Sequence, residues 1–473
     1  MNENLTALIP ELSLVGAAVL GLLAGSWLPR RRQWLIAALA VVACTAGLVA
    51  TAITMATGRE QTVFSEQFAV DVATDAGRLI VLGALLLVIA MSVETVRGHK
   101  RETEYWVLLL LTGAGTLALI GANDLLMLFA AYLLASIPAY ALAAFAKDDF
   151  GTEAALKYYL MGALLGTTML AGVALFYGAG HATLYRELRT TLPEAPYGLV
   201  AVALVAVLAG LLFKAGAVPA HFWVPDVTDG APAPIAAYVT TLPKIGALIA
   251  GYRLLHQTLP ASDVNWPFLL AILASVTMTL GNLAAFFQTS VKRLLAYSTI
   301  SQVGYLLMAL AVATRTDLAQ QSLLFYLAAY AVTNLGAFAV VTALPDARTL
   351  EDYRGLARRR PGLSAVLVVC LLGLVGTPPT GVFLGKLEIF SATMDGGYTW
   401  LAVFAVANTV ASLFYYLRWL TPLFTTTGCP PLATHAAMGR WTTATAYTAG
   451  TLALGLGIVG GAALPFGNGD LLP

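Results

Sequence analysis

Fourteen stretches of about twenty predominantly apolar residues follow one another along the 473-residue chain. Each stretch is long enough to cross the hydrocarbon core of a bilayer as a helix. Only 11% of the residues are charged, against about 25% in soluble domains, and no soluble domain of useful size remains between the stretches. The sequence therefore predicts an all-α polytopic membrane protein whose surroundings are the lipid bilayer. The predicted spans are 9–29, 33–57, 76–96, 104–122, 124–146, 155–178, 198–220, 232–255, 266–288, 293–313, 321–343, 361–394 (long and interrupted), 400–422 and 442–465.

Composition also disfavours several classes of function. The formal net charge of +1 gives no reason to expect a nucleic-acid partner. Cys44, Cys370 and Cys429 lie far apart, so no disulfide framework or iron–sulfur spacing can be built from them. The chain has no phosphate loop and no HExxH motif. We therefore expect this chain to bind no cofactor, metal ion or nucleic acid itself.

Basic residues are distributed unevenly between the two sets of loops. The loops that follow odd-numbered spans carry most of them, including the RRR run at 30–32 and RGLARRRP at 354–361. The opposite loops carry few, namely Arg59, Arg78, Arg186, Arg189 and Arg315, with Arg253 as a further candidate. Because cytoplasmic loops are enriched in Lys and Arg, this asymmetry predicts that the arginine-rich loops are cytoplasmic and both termini lie outside.

Three of the seven lysines, Lys214, Lys244 and Lys386, lie inside otherwise apolar stretches. A charge at the centre of a membrane helix costs about 2.5–3.5 kcal/mol on insertion scales, and such residues mark ion or proton paths. The alternative is that each side chain reaches the lipid–water boundary along its own aliphatic stem. Lysine suits a proton relay because burial favours the neutral amine and a nearby acid favours the ammonium, whereas arginine stays protonated. Three such groups in series would form a hydrophilic line across the bilayer midplane.

Two of the predicted spans are interrupted beside a lysine. In FKAGAVPAHFWVPD, residues 213–226, Pro219 follows Lys214, and in GTPPTGVFLGK, residues 376–386, Pro378 and Pro379 precede Lys386. Such breaks free backbone groups that are tolerated at membrane depth only when protein buries them or they line a cavity. We therefore predict discontinuous helices 7 and 12 within two inverted five-helix repeats. The predicted divisions are 1–103 (helices 1–3), 104–256 (helices 4–8), 257–423 (helices 9–13) and 424–473 (helix 14).

Polar residues surround both interruptions. His221, seven residues after Lys214, is either a relay between that lysine and cytoplasmic water or a hydrogen-bonded residue at a helix end. Asp226 and Asp229 precede the next span, where an acid and a proline-rich turn predict a helix cap. A further set of hydroxyl-bearing residues either holds ordered water or packs between helices: Thr240, Thr241, Ser298, Thr299, Ser301, Tyr305, Thr377 and Thr380.

Four segments carry a specific family resemblance. They are LFKAGAVPAHFWVPDVTDGAPAPIAAYVTTLPKIGAL, VKRLLAYSTISQVGY, LGLVGTPPTGVFLGKLEIF and FYYLRW. Together they resemble subunit N of bacterial respiratory complex I, the proton-pumping NADH:quinone oxidoreductase, within the wider family of antiporter-like subunits. The resemblance covers spans four to thirteen, and the lateral helix typical of subunit L is not found.

The resemblance implies a fourteen-helix, multi-pass subunit that translocates protons as part of a complex in the bacterial inner (plasma) membrane. Lys214, Lys244 and Lys386 match the family's pumping lysines. The FMN, the iron–sulfur clusters and the quinone are then expected in partner subunits, both membrane and peripheral, and protons are the transported species. The resemblance thus implies a translocase subunit without a redox centre of its own.

One position departs from the family pattern. DLLMLFAAYLLASIPAY has Leu133 where the family's fifth helix carries a glutamate that pairs with the lysine of helix 7. Loss of that acid would lower the proton affinity of Lys214, because nothing then offsets its burial. Two alternative functions therefore stay open: a stand-alone or Mrp-type cation/proton antiporter subunit, and a structural scaffold with weakened pumping.

Overall fold

The computed structural model describes residues 4–260, 263–425 and 439–472. Cys429 lies outside these described residues, whereas Cys44 and Cys370 are buried and free. The α-helices are α1 (Ile9–Trp27), α2 (Trp34–Thr57), α3 (Val72–Val96), α4 (Glu102–Gly121), α5 (Leu125–Ala143), α6 (Asp149–Gly180), α7 (Tyr185–Thr191), α8 (Tyr197–Ala215), α9 (Trp223–Gly230), α10 (Ala233–Thr258), α11 (Trp266–Ala285), α12 (Val291–Ala311), α13 (Leu318–Ala343), α14 (Leu356–Arg359), α15 (Pro361–Val375), α16 (Gly381–Asp395), α17 (Thr399–Phe424) and α18 (Arg440–Ala463). Short 3-10 helices occupy Leu5–Leu8, Arg30–Arg32, Leu192–Glu194, Leu350–Tyr353 and Leu464–Gly467, and the strands β1 (Gln61–Val63) and β2 (Phe68–Val70) form an antiparallel hairpin.

The predicted fold class is confirmed. Within the described residues, thirteen helices are long and apolar enough to cross a membrane. The remaining predicted span, the twelfth (361–394), is divided between α15 and α16, which have 15 residues each. Observed helix starts differ from the predicted ones where a cap fixes them: Asp71 caps α3 and Asp148 caps α6 through side-chain bonds to Thr74 and Gly151.

Both predicted interruptions are present, and they begin in the same way. α8 ends at Ala215 and α15 at Val375, and the next residues, Gly216 and Gly376, have φ values of +79° and +92°. Glycine is favoured at such positions because a side chain is strained in the left-handed region. The N–H groups of Gly216 and Ala217 both reach the carbonyl of Leu212, and those of Gly376 and Thr377 both reach the carbonyl of Leu372. Pro219 and Pro379 each follow a cis peptide bond.

The inverted-repeat relationship and the four predicted divisions stay predictions. The local match at the two interruptions extends over corresponding positions, Ala215 to Pro219 and Val375 to Pro379. It does not by itself relate the remaining helices of the two halves.

α10, α12 and α13 form the centre of the bundle. About nine-tenths of the residues in the most apolar 18-residue stretch of each of these helices are buried. In α1, α2, α6 and α18, less than half of the corresponding stretch is buried. α10 contacts α3, α4, α8, α12 and α13, and α13 in turn contacts α15, α16 and α18. The three central helices therefore connect the first interrupted helix with the second.

The loops gather on two faces, which we call the basic face, carrying Arg30–Arg32 and the 354–361 loop, and the hairpin face, carrying β1 and β2. On the hairpin face the C-terminal segment packs against helix ends. The Gln320 side chain donates to the carbonyls of Gly467 and Gly469 at 3.2 and 2.9 Å, and the Leu472 N–H donates to Asp71 at 3.1 Å.

The prediction that Arg78 lies in a loop of the hairpin face is wrong, and Arg253, a further candidate for these loops, also lies within a helix. Arg78 lies within α3 and is completely buried, with its guanidinium bonded to Glu11 at 2.8 Å and to Asp75 at 3.0 Å. Arg253 lies within α10 and forms two bonds of 2.7 and 2.8 Å with Asp71. The carboxylates of Glu11, Asp75 and Asp71 make this burial possible. Without these two arginines the loops of the hairpin face carry fewer basic residues, so the predicted charge difference between the two faces becomes larger. The orientation in the membrane stays a prediction.

Candidate functional site

Lys214 reaches from the last turn of α8 into α5. Its Nζ donates to the Ala135 carbonyl at 2.7 Å and to the Ser136 hydroxyl at 2.9 Å, and the side chain is completely buried. Close packing of α4 on α5 holds these acceptors in place, since a Cβ on Gly115 would lie 2.2 Å from the Ala135 nitrogen. The ammonium thus binds a carbonyl and a hydroxyl of a neighbouring helix.

Lys244 approaches the same end of α8 from α10. Its Nζ donates to the carbonyl of Ala215, the last residue of α8, at 2.7 Å. Gly216 leaves the space for this approach, because a Cβ there would lie 3.0 Å from the Lys244 Nζ. Since Ala215 directly follows Lys214, the first two predicted lysines both lie at the first interruption.

Lys386 makes the corresponding contact at the second interruption. From α16 its Nζ donates to the carbonyl of Val375, the last residue of α15, at 2.8 Å, with Thr409 of α17 at 3.4 Å. A Cβ on Gly376 would lie 2.9 Å from the Lys386 Cδ. Lys386 therefore relates to the end of α15 as Lys244 relates to the end of α8.

The prediction that these lysines reach into the protein, rather than to the lipid–water boundary, agrees with the geometry. The exposed fractions of Lys214, Lys244 and Lys386 are 0%, 0% and 3%. Within residues 4–260, 263–425 and 439–472, none of the three forms a salt bridge with a carboxylate. Backbone carbonyls are the common acceptors of all three ammonium groups.

A chain of buried polar groups on α13 lies between the two interruptions. Asn334 donates to the hydroxyls of Thr240 and Thr241, one turn before Lys244 on α10, at 3.1 and 2.8 Å. Tyr330 donates to the Thr240 carbonyl at 2.7 Å and to the Thr299 hydroxyl at 3.1 Å.

A second group of buried hydrogen bonds, one turn further along α12 and α13, reaches the end of α15. Tyr326 donates to the Gln302 side-chain carbonyl, and the Gln302 amide donates to the Leu374 carbonyl at 2.7 Å, one residue before the acceptor of Lys386. Asn334 Oδ1 and Ser301 Oγ are buried without a protein partner in the described part of the chain, and such atoms are suited to bind internal water.

Thr240, Thr241 and Thr299 were predicted from the sequence to lie near the interruptions, but their partners were not predicted. Tyr326, Tyr330 and Asn334 occur at intervals of four in an otherwise apolar helix, which places them on one face. That spacing was the available signal. The partners themselves come from helices far away in sequence, so the pairing could not be read locally.

His221 lies in the turn between α8 and α9, and 4% of it is exposed. Its Nδ1 has no hydrogen-bond partner among the described residues, and its ring lies against Phe222 with centroids 4.3 Å apart. It makes no direct hydrogen bond to Lys214, so the relay role stays a prediction.

The prediction that Asp226 and Asp229 cap the next span is wrong. Pro232 occupies the N-cap position of α10 without a side-chain bond, and Pro234 removes one of the N–H groups that a cap would satisfy. Asp226 instead accepts bonds from Lys157 of α6 at 2.8 Å and from Arg293 of α12 at 2.9 Å. Partial burial acts to raise the pKa of Asp226, but the bonds from these two cations outweigh it, and the pKa is lowered.

Leu133, the departure from the family pattern, lies on the outer surface of α5 and is 37% exposed. The acceptors of Lys214 come from Ala135 and Ser136, two and three residues later on that helix. The ammonium of Lys214 thus has hydrogen-bond acceptors in this chain although position 133 carries no acid.

A many-helix membrane bundle with two interrupted helices, each interruption closed by a buried lysine, defines an antiporter-like membrane subunit. Comparison with known proteins agrees. Residues 122–412 match the family described as "NADH:quinone oxidoreductase/Mrp antiporter, TM". NADH-quinone oxidoreductase subunit N 1 of Streptomyces griseus is 56% identical over 467 residues, covering 98% of each chain. The chain belongs to the subunit N family of NADH-quinone oxidoreductases.

Two further proteins are similar to this chain, one from a dehydrogenase and one from a solved complex I structure. Subunit N of the F(420)H(2) dehydrogenase of Methanosarcina mazei is 35% identical, covering 88% of each chain. In a structure of respiratory complex I from Thermus thermophilus with bound aureothin, one chain is 32% identical and superimposes with a TM-score of 0.85. That match covers 97% of this chain and 100% of the Thermus chain.

Proposed function

We propose that this chain conducts protons across the membrane through Lys214, Lys244 and Lys386, as a subunit of a proton-pumping NADH:quinone oxidoreductase. The observation that carries the proposal is the position of three fully buried ammonium groups at the two helix interruptions, each bonded to a backbone carbonyl. Buried lysines of this kind mark proton paths because they exist as the amine or the ammonium according to their surroundings.

The geometry supports a definite order of transfer. Lys214 lies in the last turn of α8 and Lys244 binds the terminal carbonyl of that helix, so a proton passes between these two neighbouring lysines. The polar chain of Tyr326, Tyr330 and Asn334 then supports a water-assisted connection from α10 to the end of α15, where Lys386 receives the proton. His221 connects Lys214 to water at the basic face.

The energy for this transport comes from quinone reduction elsewhere in the assembly. FMN, iron–sulfur clusters and quinone belong in this proposal to membrane and peripheral partner subunits, and the chain itself holds no electron carrier. Membership of the subunit N family supports a location in the bacterial plasma membrane. The loop charges support an orientation with the basic face in the cytoplasm and both termini outside.

The direct test replaces Lys214, Lys244 or Lys386 by alanine in the intact complex reconstituted into vesicles. Each substitution is expected to abolish or sharply reduce the number of protons moved per electron, because it removes a titratable group from the path. The measurement is acidification of the vesicle lumen against NADH oxidation. Lys100→Ala, at an exposed loop lysine of the basic face, is the matched control. Normal pumping in all three variants would disprove the proposal.

Leu133 favours one competing function, a scaffold subunit with weakened pumping, because it leaves Lys214 without the acid expected from the family. In that case the proton-to-electron ratio would stay the same when the lysines are substituted, while the assembly would still require the chain. The antiporter alternative predicts a Na⁺-dependent proton flux in vesicles without NADH oxidation.

A further inference from the structure

Each of the three buried ammonium groups lies over an aromatic ring. Lys214 Nζ is 5.8 Å from the ring centroid of Tyr132, and Lys244 Nζ is 5.8 Å from that of Trp223. Lys386 Nζ lies only 4.1 Å from the centroid of Tyr305. A cation within about 6 Å of a ring face is attracted by the ring quadrupole, and the attraction is strongest where water is excluded.

Tyr305 is fixed in this position from two sides. Its side chain, on α12, is 1% exposed, and its hydroxyl accepts a bond of 3.2 Å from Thr409 of α17. The Thr409 hydroxyl also lies 3.4 Å from the Lys386 Nζ. Ring face, threonine hydroxyl and helix carbonyl therefore enclose the ammonium from three helices other than its own, α12, α17 and α15.

The elements packed against α16 offer no carboxylate that could do the same. These elements are α12, α13, α15, α17 and α18. Among their described residues, none of these five helices contributes a carboxylate, and the carboxylate closest along α16, Glu388, lies two positions from Lys386 and so on a different side of the helix. The titratable or charged side chains of these five helices are Lys292, Arg293, Tyr297 and Tyr305 on α12, Tyr326 and Tyr330 on α13, Cys370 on α15, Tyr415, Tyr416 and Arg418 on α17, and Arg440 and Tyr447 on α18. α16 itself carries Glu388 and Asp395.

We propose that Tyr305 is a positioning residue for Lys386, whose ring face takes the place of a carboxylate in stabilising the protonated lysine and so sets the pH range in which Lys386 carries a proton. This inference rests on the proposed function. Tyr132 and Trp223 stand in the same relation to Lys214 and Lys244 at longer distances. Tyr305, with the shortest distance, has the largest effect.

The experiment substitutes position 305 in the intact complex and measures protons moved per electron in vesicles from pH 6 to 9. Tyr305→Phe keeps the ring face and is expected to keep the pH at which the ratio falls by half. Tyr305→Leu removes the ring, and this midpoint is expected to move about one pH unit lower, because the ammonium loses its stabilising partner. Tyr353→Leu, which removes an equally buried ring far from the lysines, is the matched control.

Phenylalanines with increasing ring fluorination at position 305 keep the protein testable if the leucine variant does not assemble. Fluorine weakens the quadrupole with little change in shape, so the midpoint is expected to fall stepwise with the number of fluorines. Identical midpoints throughout the series, or between the leucine and phenylalanine variants, would overturn the role of Tyr305. Lys386→Ala separates the two proposals: if that variant pumps normally, the proposed function itself fails, whatever the result at position 305.

Discussion

Gly376 shows how closely backbone and side chain are fitted at single residues. Its φ of +92° lies in the left-handed region, and a Cβ would meet the Lys386 stem at 2.9 Å. Gly376→Ala is therefore expected to destabilise the complex by about 1–2 kcal/mol through backbone strain alone. It should also reduce proton pumping, because Lys386 must move away from the Val375 carbonyl.

The measurement is the thermal midpoint of the purified complex together with its proton-to-electron ratio. Gly83→Ala, inside α3 with nothing within 4 Å of the added Cβ, is the control and should leave both unchanged or slightly raise stability. Equal behaviour of the two variants would show that the tight approach at Gly376 has no consequence.

At the scale of elements, α9 is the short helix that follows the first interruption, and a charged cluster fixes it. Asp226 joins it to α6 and α12 through Lys157 and Arg293, and Asp229 accepts a bond of 2.8 Å from Ser290. Because these groups are partly exposed, the ion pairs contribute only about 0.5–1 kcal/mol. That contribution adds to the packing of this eight-residue helix against α6 and α12.

Asp226→Asn is expected to loosen α9. Because the pKa of Asp226 is lowered in the folded protein, the stabilisation is fully present above the ordinary carboxyl value of 3.8 and is lost as the pH falls through the lowered value. Amide hydrogen exchange of residues 223–230 should therefore be faster in the variant than in the parent chain at pH 7. Asp346→Asn, at an exposed residue of the same face, is the control, and equal exchange in all three proteins would contradict the prediction.

For the whole molecule, the Arg253–Asp71 pair connects α10 with the start of α3 and with the C-terminal segment. Both side chains are completely buried. Arg253→Met alone should cost about 3–5 kcal/mol, because it leaves an uncompensated carboxylate in the interior. The double variant with Asp71→Leu should recover much of this loss, which a double-mutant cycle of thermal midpoints measures. A double variant as unstable as the sum of the single variants would contradict this explanation.

The sequence predicted the fold well because its main signals are local. Apolar runs locate the helices, and glycine and proline locate the interruptions at Gly216 and Gly376. The burial of Lys214, Lys244 and Lys386 was also predictable, because each lies inside an otherwise apolar stretch. What the sequence could not predict were pairings between distant segments, such as Arg78 with Glu11, Asp226 with Lys157, and Asn334 with Thr241. Arg78 looked like a loop charge because its partner lies 67 residues away.

The ends of α8 and α15 have an electrical consequence. The peptide dipoles of a helix add up to roughly half a negative charge at its carboxyl end. Lys244 and Lys386 each place an ammonium on the terminal carbonyl of one of these helices. An uninterrupted helix would carry that partial charge out to the membrane surface, whereas two early endings deliver it deep inside the bilayer. Each break thus places a partial negative charge beside a lysine. That charge favours the ammonium form but holds the proton less firmly than a carboxylate would.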